Sequence, residues 1–199
     1  HAAALPLIAK IERHEALDNL DAILEEADGL LVARGDLAVE IPLEDVPQAQ
    51  KRIIRAANNA GKPVITATQM LRSMVTATRP TRAETTDVAN ALYDGTDAVM
   101  LSGETAIGKY PVRTVEVMSD VIIEAERAFI ENERDTQPFG DTPSTTEAVS
   151  RTASFLAAKL NAVAIVCLTA SGTTARSIAR HRPNVPVYAF TDDRRILGQ

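Results

Sequence analysis

Charged side chains close two short apolar segments near the start of the sequence. Lys10 and Glu12 end the first segment, and Asp36 follows the second within the triplet Arg34-Gly35-Asp36. Residues two apart in a strand point to the same side, so Lys10 and Glu12 can face one site. The carboxylates could bind a divalent cation, and the ammonium group could bind an anionic group of a substrate. The simpler alternatives are an exposed ion pair at a strand end and an ordinary Gly-Asp turn.

Polar groups also end the next two apolar segments. Thr66 and Thr68 are two apart and are expected to share a face, where their hydroxyls could bind an anion, relay a proton or cap a helix. Ser102 and Glu104 form either a helix start or part of a site. Four polar strand ends that meet at one end of a barrel are stronger evidence for a functional site than any one of them. Together they predict a Mg²⁺ or Mn²⁺ site that stabilises an oxyanion or a transferring phosphoryl group.

A second candidate site lies in the later stretch TASGTTAR, between an apolar segment and a helical one. Small residues there can turn backbone N–H groups toward a helix N-terminus, which favours binding of an anion. The residues concerned are Thr169, Ser171, Gly172, Thr173 and Thr174. The alternative is a plain strand-to-helix turn with hydroxyl caps.

Alternating strands and helices are predicted to position these candidate functional side chains. This alternation is the pattern of βα units on a parallel sheet. The predicted strands are Leu7–Glu12, Gly29–Ala33, Pro63–Ala67, Asp97–Leu101, Val163–Leu168 and Pro186–Phe190. The predicted helices are His14–Ala27, Leu43–Ala60, Ala83–Tyr93, Pro111–Asn132, Thr145–Leu160 and Thr174–His181.

Two related segments, DGLLVARGD and DAVMLSGE, suggest the repeated unit of a βα barrel. Only four such units precede a polar stretch without periodicity, and a closed barrel needs eight. We therefore expect residues 1–133 to be an incomplete (β/α)8 TIM barrel within a longer protein. Residues 134–144 are predicted to be a linker, and residues 145–199 to belong to a second α/β domain.

Composition excludes several classes of protein. The chain has 199 residues, 45% of them hydrophobic, and no apolar run long enough for a membrane span. Its net charge is −6, which gives little electrostatic support for binding nucleic acid. The start lacks the pattern of a signal peptide, and the single cysteine, Cys167, is typical of a reduced compartment. We expect a cytoplasmic protein with no membrane or nucleic-acid partner.

Several motifs, in order along the chain, resemble pyruvate kinase. They are IAKIER, LLVARGDLAVEIP, VITATQMLRSM, RPTRAETTDVANALYDGTDAVMLSGETAIGKYP and TASGTTARSIARHRPNVPVYAFT. The similarity runs from about Leu7 to Gln199. It implies that the second half of a TIM barrel is followed by the first part of an αβα three-layer C-terminal domain, and that this chain alone is an incomplete, inactive portion.

The resemblance implies roles for five residues of the first region. Lys10 is similar to the catalytic lysine that stabilises the transferring phosphoryl group and the enolate. Glu12 and Asp36 match the two carboxylates that bind Mg²⁺ or Mn²⁺. The backbone amides of Gly35 and Asp36, with Thr68, match the positions that hold the substrate carboxylate. The position that Thr68 matches is also near the carbon of the enol that is protonated.

Further roles are implied for the remaining candidates. Ser102 and Glu104 match a polar cluster that could relay a proton through water. The loop from Thr169 to Thr174 matches the one that holds the phosphate of an allosteric effector. The family also implies K⁺ dependence, with ligands outside this chain, phosphoenolpyruvate and ADP as substrates, and a homotetramer at full length.

Two other functions remain open from the residues. A metal-dependent lyase or aldolase acting on enolate or pyruvate chemistry would use the same barrel carboxylates, but it needs no second phosphate loop. A stand-alone module that senses sugar phosphates would explain that loop, but it would not explain Lys10, Glu12 and Asp36 together.

Overall fold

The first region is built on one parallel sheet of four strands. The computed structural model describes residues 5–132, 144–194 and 196–197. The strands β1 to β4 lie side by side in chain order, and they are Ile8–Ile11, Gly29–Ala33, Val64–Ala67 and Ala98–Met100. All three pairings are parallel, with Lys10 opposite Leu31 and Val32 opposite Thr66. Every carboxyl end therefore lies at the same edge, which confirms the predicted α/β arrangement.

Helices connect successive strands. They are α1 His14–Asp18, α2 Leu20–Glu26, α3 Arg34–Glu40, α4 Val46–Asn59, α5 Arg82–Tyr93, α6 Gly103–Ala106 and α7 Pro111–Asn132, with short 3-10 helices at Leu43–Asp45 and Arg72–Val75. Residues at the helix ends explain where two of these helices begin or end. Thr81 and Glu84 form a reciprocal capping box at the start of α5, and Gly61 has φ +66° after α4.

One prediction about these helices was wrong, and one helix was not predicted. The stretch predicted as one helix from His14 to Ala27 is two helices that meet at Asn19, whose φ of −106° and ψ of 22° are not helical. The triplet beginning at Arg34, for which an ordinary turn was the alternative, is the first turn of helix α3. The spacing of apolar residues revealed neither the break at Asn19 nor helix α3. A one-residue break leaves the spacing unchanged, and a helix of seven residues is too short to show a clear period.

The sheet is covered by two hydrophobic clusters. The first joins β1, β2 and β3 to helices α2 and α4, with Leu30, Val32 and Ile53 fully buried. The second joins the segment after β3 to α5 and α7, with Met70 and Met74 fully buried. Burial of each large apolar side chain contributes about 1.5–3 kcal/mol, so these clusters hold the strand ends that carry the polar groups.

The remaining described residues form a separate small unit. Helices α8 (Thr145–Lys159) and α9 (Thr173–Ala179) pack against the parallel strands β5 (Ile165–Leu168) and β6 (Val187–Phe190). Contacts divide the chain into two compact units, His1–Phe129 and Ile130–Gln199. The predicted linker 134–144 lies outside the described residues except for Ser144, whose hydroxyl caps α8.

Among the described residues, no helix has both the length and the apolar character required to cross a membrane. Cys167 lies within β5 and is partly buried, and this burial raises the pKa of its thiol.

Candidate functional site

Lys10, Glu12 and Asp36 meet at the carboxyl edge of the sheet. The Lys10 ammonium donates to Asp36 Oδ2 at 2.9 Å and is in direct contact with Glu12 Oε2. The hydrogen bonds to Glu12 and Asp36 raise the pKa of Lys10, and the bond from Lys10 lowers the pKa of Asp36. At neutral pH the cluster therefore holds one fixed cation between two carboxylates.

The donor set of this cluster suits a hard divalent cation. Carboxylate oxygens are preferred ligands of Mg²⁺, which is commonly bound through one or two carboxylates plus substrate phosphates and water. The Lys10 ammonium already occupies the position between the two carboxylates, so the cluster attracts positive charge. Across the described residues no group of three or more His, Cys, Asp or Glu side chains is arranged so that it could hold a metal ion. Glu12 and Asp36 thus fit a metal that takes its other ligands from substrate or water.

A cleft of about 440 Å³ opens beside these groups. It is lined by Lys10, Glu12, Arg13, Glu15, Ala16, Asn19 and Ile23. Its wall comes from the strand end of β1 and from helices α1 and α2. The Lys10 and Glu12 side chains are 50% and 36% exposed, so the Lys10 ammonium is accessible to an anionic ligand and the Glu12 carboxylate to a cation.

Thr68 lies directly after β3 in an unusual backbone conformation. Thr68 and Gln69 have φ values of +69° and +56°, a region that β-branched residues rarely occupy. The Thr68 hydroxyl accepts a hydrogen bond from the Gly35 N–H at 2.7 Å and donates to the Ala67 carbonyl at 2.7 Å. The structure therefore brings Gly35 and Thr68 together across neighbouring strands.

The prediction that Thr66 and Thr68 share a face was wrong. Thr66 is fully buried, and its hydroxyl donates to Thr96 Oγ1 at 3.0 Å. The left-handed turn at Thr68 ends the alternation of the strand, so spacing by two residues no longer places the two hydroxyls together.

Arg34 is a residue of this edge that the sequence analysis did not single out. Its guanidinium donates to the Thr68 carbonyl at 2.9 Å, the Ala67 carbonyl at 3.3 Å and Asp87 Oδ1 at 2.7 Å. Its side chain is only 12% exposed. No local spacing predicts these bonds, because the partners lie 33 to 53 residues further along the chain.

Ser102 and Glu104 lie at the end of β4, next to the segment after β3. Glu104 is 1% exposed, and its two carboxylate oxygens accept from the backbone N–H groups of Ser102 at 2.9 Å and Leu71 at 3.3 Å. Ser102 is partly buried. These contacts tie β4 to the 3-10 helix Arg72–Val75.

In the second unit, the predicted phosphate loop joins β5 to α9. Gly172 has φ +78°, a conformation that favours glycine. The hydroxyls of Ser171 and Thr173 lie 2.8 Å apart, and Arg176 donates to the Ser171 carbonyl at 3.2 Å. Thr169 is buried, Thr174 is partly buried, and Ser171 and Thr173 are exposed.

A parallel βα sheet with its charged and hydroxyl groups collected at the carboxyl edge is the arrangement of a βα-barrel enzyme. The comparisons with known proteins define the class more narrowly. The family described as "Pyruvate kinase, barrel domain" matches residues 1–115, and "Pyruvate kinase, alpha/beta domain" matches residues 147–199. The chain belongs to the pyruvate kinase family.

Individual relatives agree with this assignment. The chain is 54% identical to pyruvate kinase 2 of a Synechocystis strain over 94% of its own length, and 52% identical to the pyruvate kinase of Bacillus licheniformis over 96%. A crystal structure of a pyruvate kinase from Cryptosporidium parvum superposes on 94% of the chain with a TM-score of 0.81 and 46% identity. The prediction of a partial TIM barrel followed by an α/β domain is confirmed.

The chain spans about a third of the length of these curated relatives, 31% of the first and 33% of the second, and 38% of the solved structure.

Proposed function

We propose that a protein of the relatives' full length carrying this chain transfers a phosphoryl group from phosphoenolpyruvate to ADP, giving pyruvate and ATP in glycolysis. One observation carries the proposal. Lys10 is held by Glu12 and Asp36 at the carboxyl ends of two adjacent parallel strands, where barrel enzymes place their chemistry. Membership of the pyruvate kinase family supports the same reaction.

In this proposal Lys10 is the fixed cation of the phosphoryl transfer. Lysine is protonated at neutral pH, and the neighbouring carboxylates raise the pKa of Lys10 further. Its ammonium group can therefore bind the phosphoryl oxygens as they pass from donor to acceptor. Glu12 and Asp36 would hold Mg²⁺ or Mn²⁺. When bound, the metal would neutralise phosphate charge and stabilise the enolate oxygen left behind.

The substrate carboxylate is proposed to bind at the start of α3. The first N–H groups of a helix lack partners within the helix, and Gly35 and Asp36 lie in this first turn. The Gly35 N–H is bonded to Thr68 Oγ1, so a bound carboxylate would share or replace that bond. Thr68 would then contact the substrate and lie close to the carbon that takes a proton.

The route of that proton beyond Thr68 remains a prediction. Ser102 and Glu104 are proposed to pass it through water, with Ser102 as the member nearer solvent because Glu104 is 1% exposed.

The second unit is proposed to bind a phosphorylated effector in the loop from Thr169 to Thr174. The exposed hydroxyls of Ser171 and Thr173, with Arg176 bonded to the same loop, support recognition of a phosphate. K⁺ dependence, a homotetramer and a cytoplasmic location complete the proposal, and no residue of this chain is assigned to K⁺.

The direct test is turnover of phosphoenolpyruvate with ADP by the full-length protein and by its Lys10→Met variant. The parent should form ATP and pyruvate in equal amounts, and Lys10→Met should lose turnover by about 10³-fold or more, since it removes a charge that acts on the transferring group. Release of pyruvate and inorganic phosphate without ATP would instead mean that water accepts the phosphoryl group, which would contradict transfer to ADP.

A further inference from the structure

The left-handed turn after β3 is held by one side chain from a neighbouring strand end. Thr68 and Gln69 both have positive φ, and neither is the glycine or asparagine that tolerates this region best. Such a backbone persists only where the surrounding structure determines it. The contacts that determine it can be identified.

Arg34 supplies most of those contacts. Its Nε donates to the Ala67 carbonyl at 3.3 Å, and its Nη2 donates to the Thr68 carbonyl at 2.9 Å and contacts Met70 Sδ at 2.7 Å. The guanidinium therefore spans the turn from the residue before Thr68 to the second residue after it.

Arg34 is itself fixed from the other side. Its Nη1 donates to Asp87 Oδ1 on α5 at 2.7 Å and lies 3.4 Å from Gln50 Oε1 on α4. The Gln50 side chain donates in turn to Asp94 at 2.8 Å. With 12% of its side chain exposed and all three nitrogens engaged, Arg34 has one available orientation.

The turn sets the position of the Thr68 hydroxyl. This hydroxyl accepts from Gly35 N–H at 2.7 Å, and Gly35 directly follows Arg34 in the chain. The Arg34 side chain thus donates to the Thr68 carbonyl, and the backbone N–H of the next residue, Gly35, donates to the Thr68 hydroxyl.

We infer that Arg34, anchored by Asp87, is a positioning residue that keeps Thr68 in its left-handed conformation and so presents the Thr68 hydroxyl to the substrate. The kinetic part of this inference rests on the proposed function. Arg34 touches no substrate and acts through the backbone of the turn. A lysine at position 34 keeps the charge but lacks the planar fork that reaches Thr68 and Asp87 together.

The kinetic test compares Arg34→Lys with Thr66→Val in the full-length protein. Thr66 lies in β3, two residues before Thr68, and Thr66→Val removes the buried hydrogen bond from its hydroxyl to Thr96. Arg34→Lys should lower kcat by roughly 10- to 100-fold because a small misplacement of a reacting group is enough. Thr66→Val should change kcat less than about twofold at a comparable loss of stability. Equal effects of the two variants on kcat would overturn the inference.

A double-mutant cycle separates positioning from general structural support. If Arg34 acts through Thr68, Arg34→Lys should lower kcat by no more than about threefold in a Thr68→Val background, since contacting residues are not additive. Full additivity would overturn the inference. Asp87→Asn keeps Arg34 but weakens its anchor, so this variant should also lower kcat. It provides the same test if Arg34→Lys does not fold. An Asp87→Asn variant with the parent's kcat would overturn it as well.

Crystal structures of the parent and Arg34→Lys give a readout that needs no activity. In the variant Thr68 should leave the positive-φ region and lose its bond to Gly35, and an unchanged turn would overturn the inference. If the parent shows no phosphoryl transfer, the proposed function fails, and these structures still decide whether Arg34 holds the turn.

Discussion

The backbone N–H of Gly35 donates to Thr68 Oγ1 at 2.7 Å, although the two residues are 33 positions apart in the chain. This bond joins the first turn of α3 to the left-handed turn after β3. A Cβ placed on Gly35 would lie 3.4 Å from Thr68 Oγ1 and 3.5 Å from Thr68 Cβ. The space beside the Thr68 hydroxyl is therefore narrow but not closed.

Gly35→Ala should affect the reaction more than the fold. Contacts of 3.4–3.5 Å are ordinary van der Waals distances, so we expect the free energy of unfolding to change by less than about 1 kcal/mol. The proposed function places the substrate carboxylate at the Gly35 amide, and the added methyl group would narrow the space beside it. We expect KM for phosphoenolpyruvate to rise by about tenfold, measured by steady-state kinetics together with urea unfolding. An unchanged KM would contradict the assignment of this amide to the substrate.

Glu12→Gln and Asp36→Asn should each weaken the binding of Mg²⁺. Removal of one carboxylate ligand is expected to lower turnover by roughly 10²-fold or more and to raise the Mg²⁺ concentration required. Each carboxylate raises the pKa of Lys10, so the loss of activity at alkaline pH should begin at a lower pH in both variants. Mg²⁺ titrations and pH–rate profiles measure both effects.

Glu116→Gln is the matched control for these substitutions. Glu116 forms an exposed ion pair with Arg113 on α7, and neither residue contacts the Lys10 cluster. The control should retain the parent's Mg²⁺ dependence. If Glu12→Gln and Asp36→Asn behaved like it, neither carboxylate would be a metal ligand.

Glu104→Gln should destabilise the barrel unit. Both oxygens of the buried carboxylate accept from backbone N–H groups, and a glutamine would turn its NH₂ group toward one of those donors. One buried donor left without an acceptor costs about 1–3 kcal/mol, which denaturant unfolding can resolve. A proton relay through Ser102 and Glu104 predicts, in addition, an altered pH–rate profile. A profile identical to the parent's would remove Glu104 from the relay.

Ser171→Ala combined with Thr173→Ala should remove activation by phosphorylated effectors and leave the basal rate nearly unchanged. The coupling lost is typically about 1–3 kcal/mol, seen as a loss of the effector-induced change in substrate affinity. Lys10→Met should do the reverse, because effector binding persists without turnover. Titration of both variants with sugar phosphates and nucleotide monophosphates is the test. Activation retained by the double variant would mean that the loop is only a strand-to-helix turn.

Acid should destabilise the second unit through His181. Burial and the charges of Arg180 and Arg151 lower the pKa of His181 to about 4. Glu147 lies 3.7 Å from His181, but it is also paired with Arg180, which balances its charge. Between about pH 6.5 and 4 the unfolded chain binds a proton that the folded one does not, so stability falls as the pH falls through this window.

His181→Gln should reduce that dependence on pH. Thermal unfolding at pH 7 and pH 5 gives the change for parent and variant, and the variant should lose less stability between the two. His14→Gln is the control, since His14 is 62% exposed on α1. A parent whose stability does not change over this range would contradict the neutral state of the partly buried His181.

Much of the barrel edge could be predicted from local patterns. The apolar segments located all six described strands to within a few residues, because strand and helix periodicities are properties of neighbouring residues. Spacing by two placed Lys10 and Glu12 on one side of β1, and their contact in the structure agrees with it. The same rule failed at Thr68, since alternation holds only while the backbone remains extended.

The sequence by itself determined that charged and hydroxyl groups would stand at the ends of parallel strands. Only the tertiary structure decided what each group touches there. Arg34 reaches Asp87 across 53 positions and Lys10 reaches Asp36 across 26, distances along the chain that no local periodicity encodes. These contacts arise because adjacent strands lie side by side in a parallel sheet and bring their ends to one edge. They decide which carboxylate is buried, which is paired with a lysine, and which backbone turn is held in place.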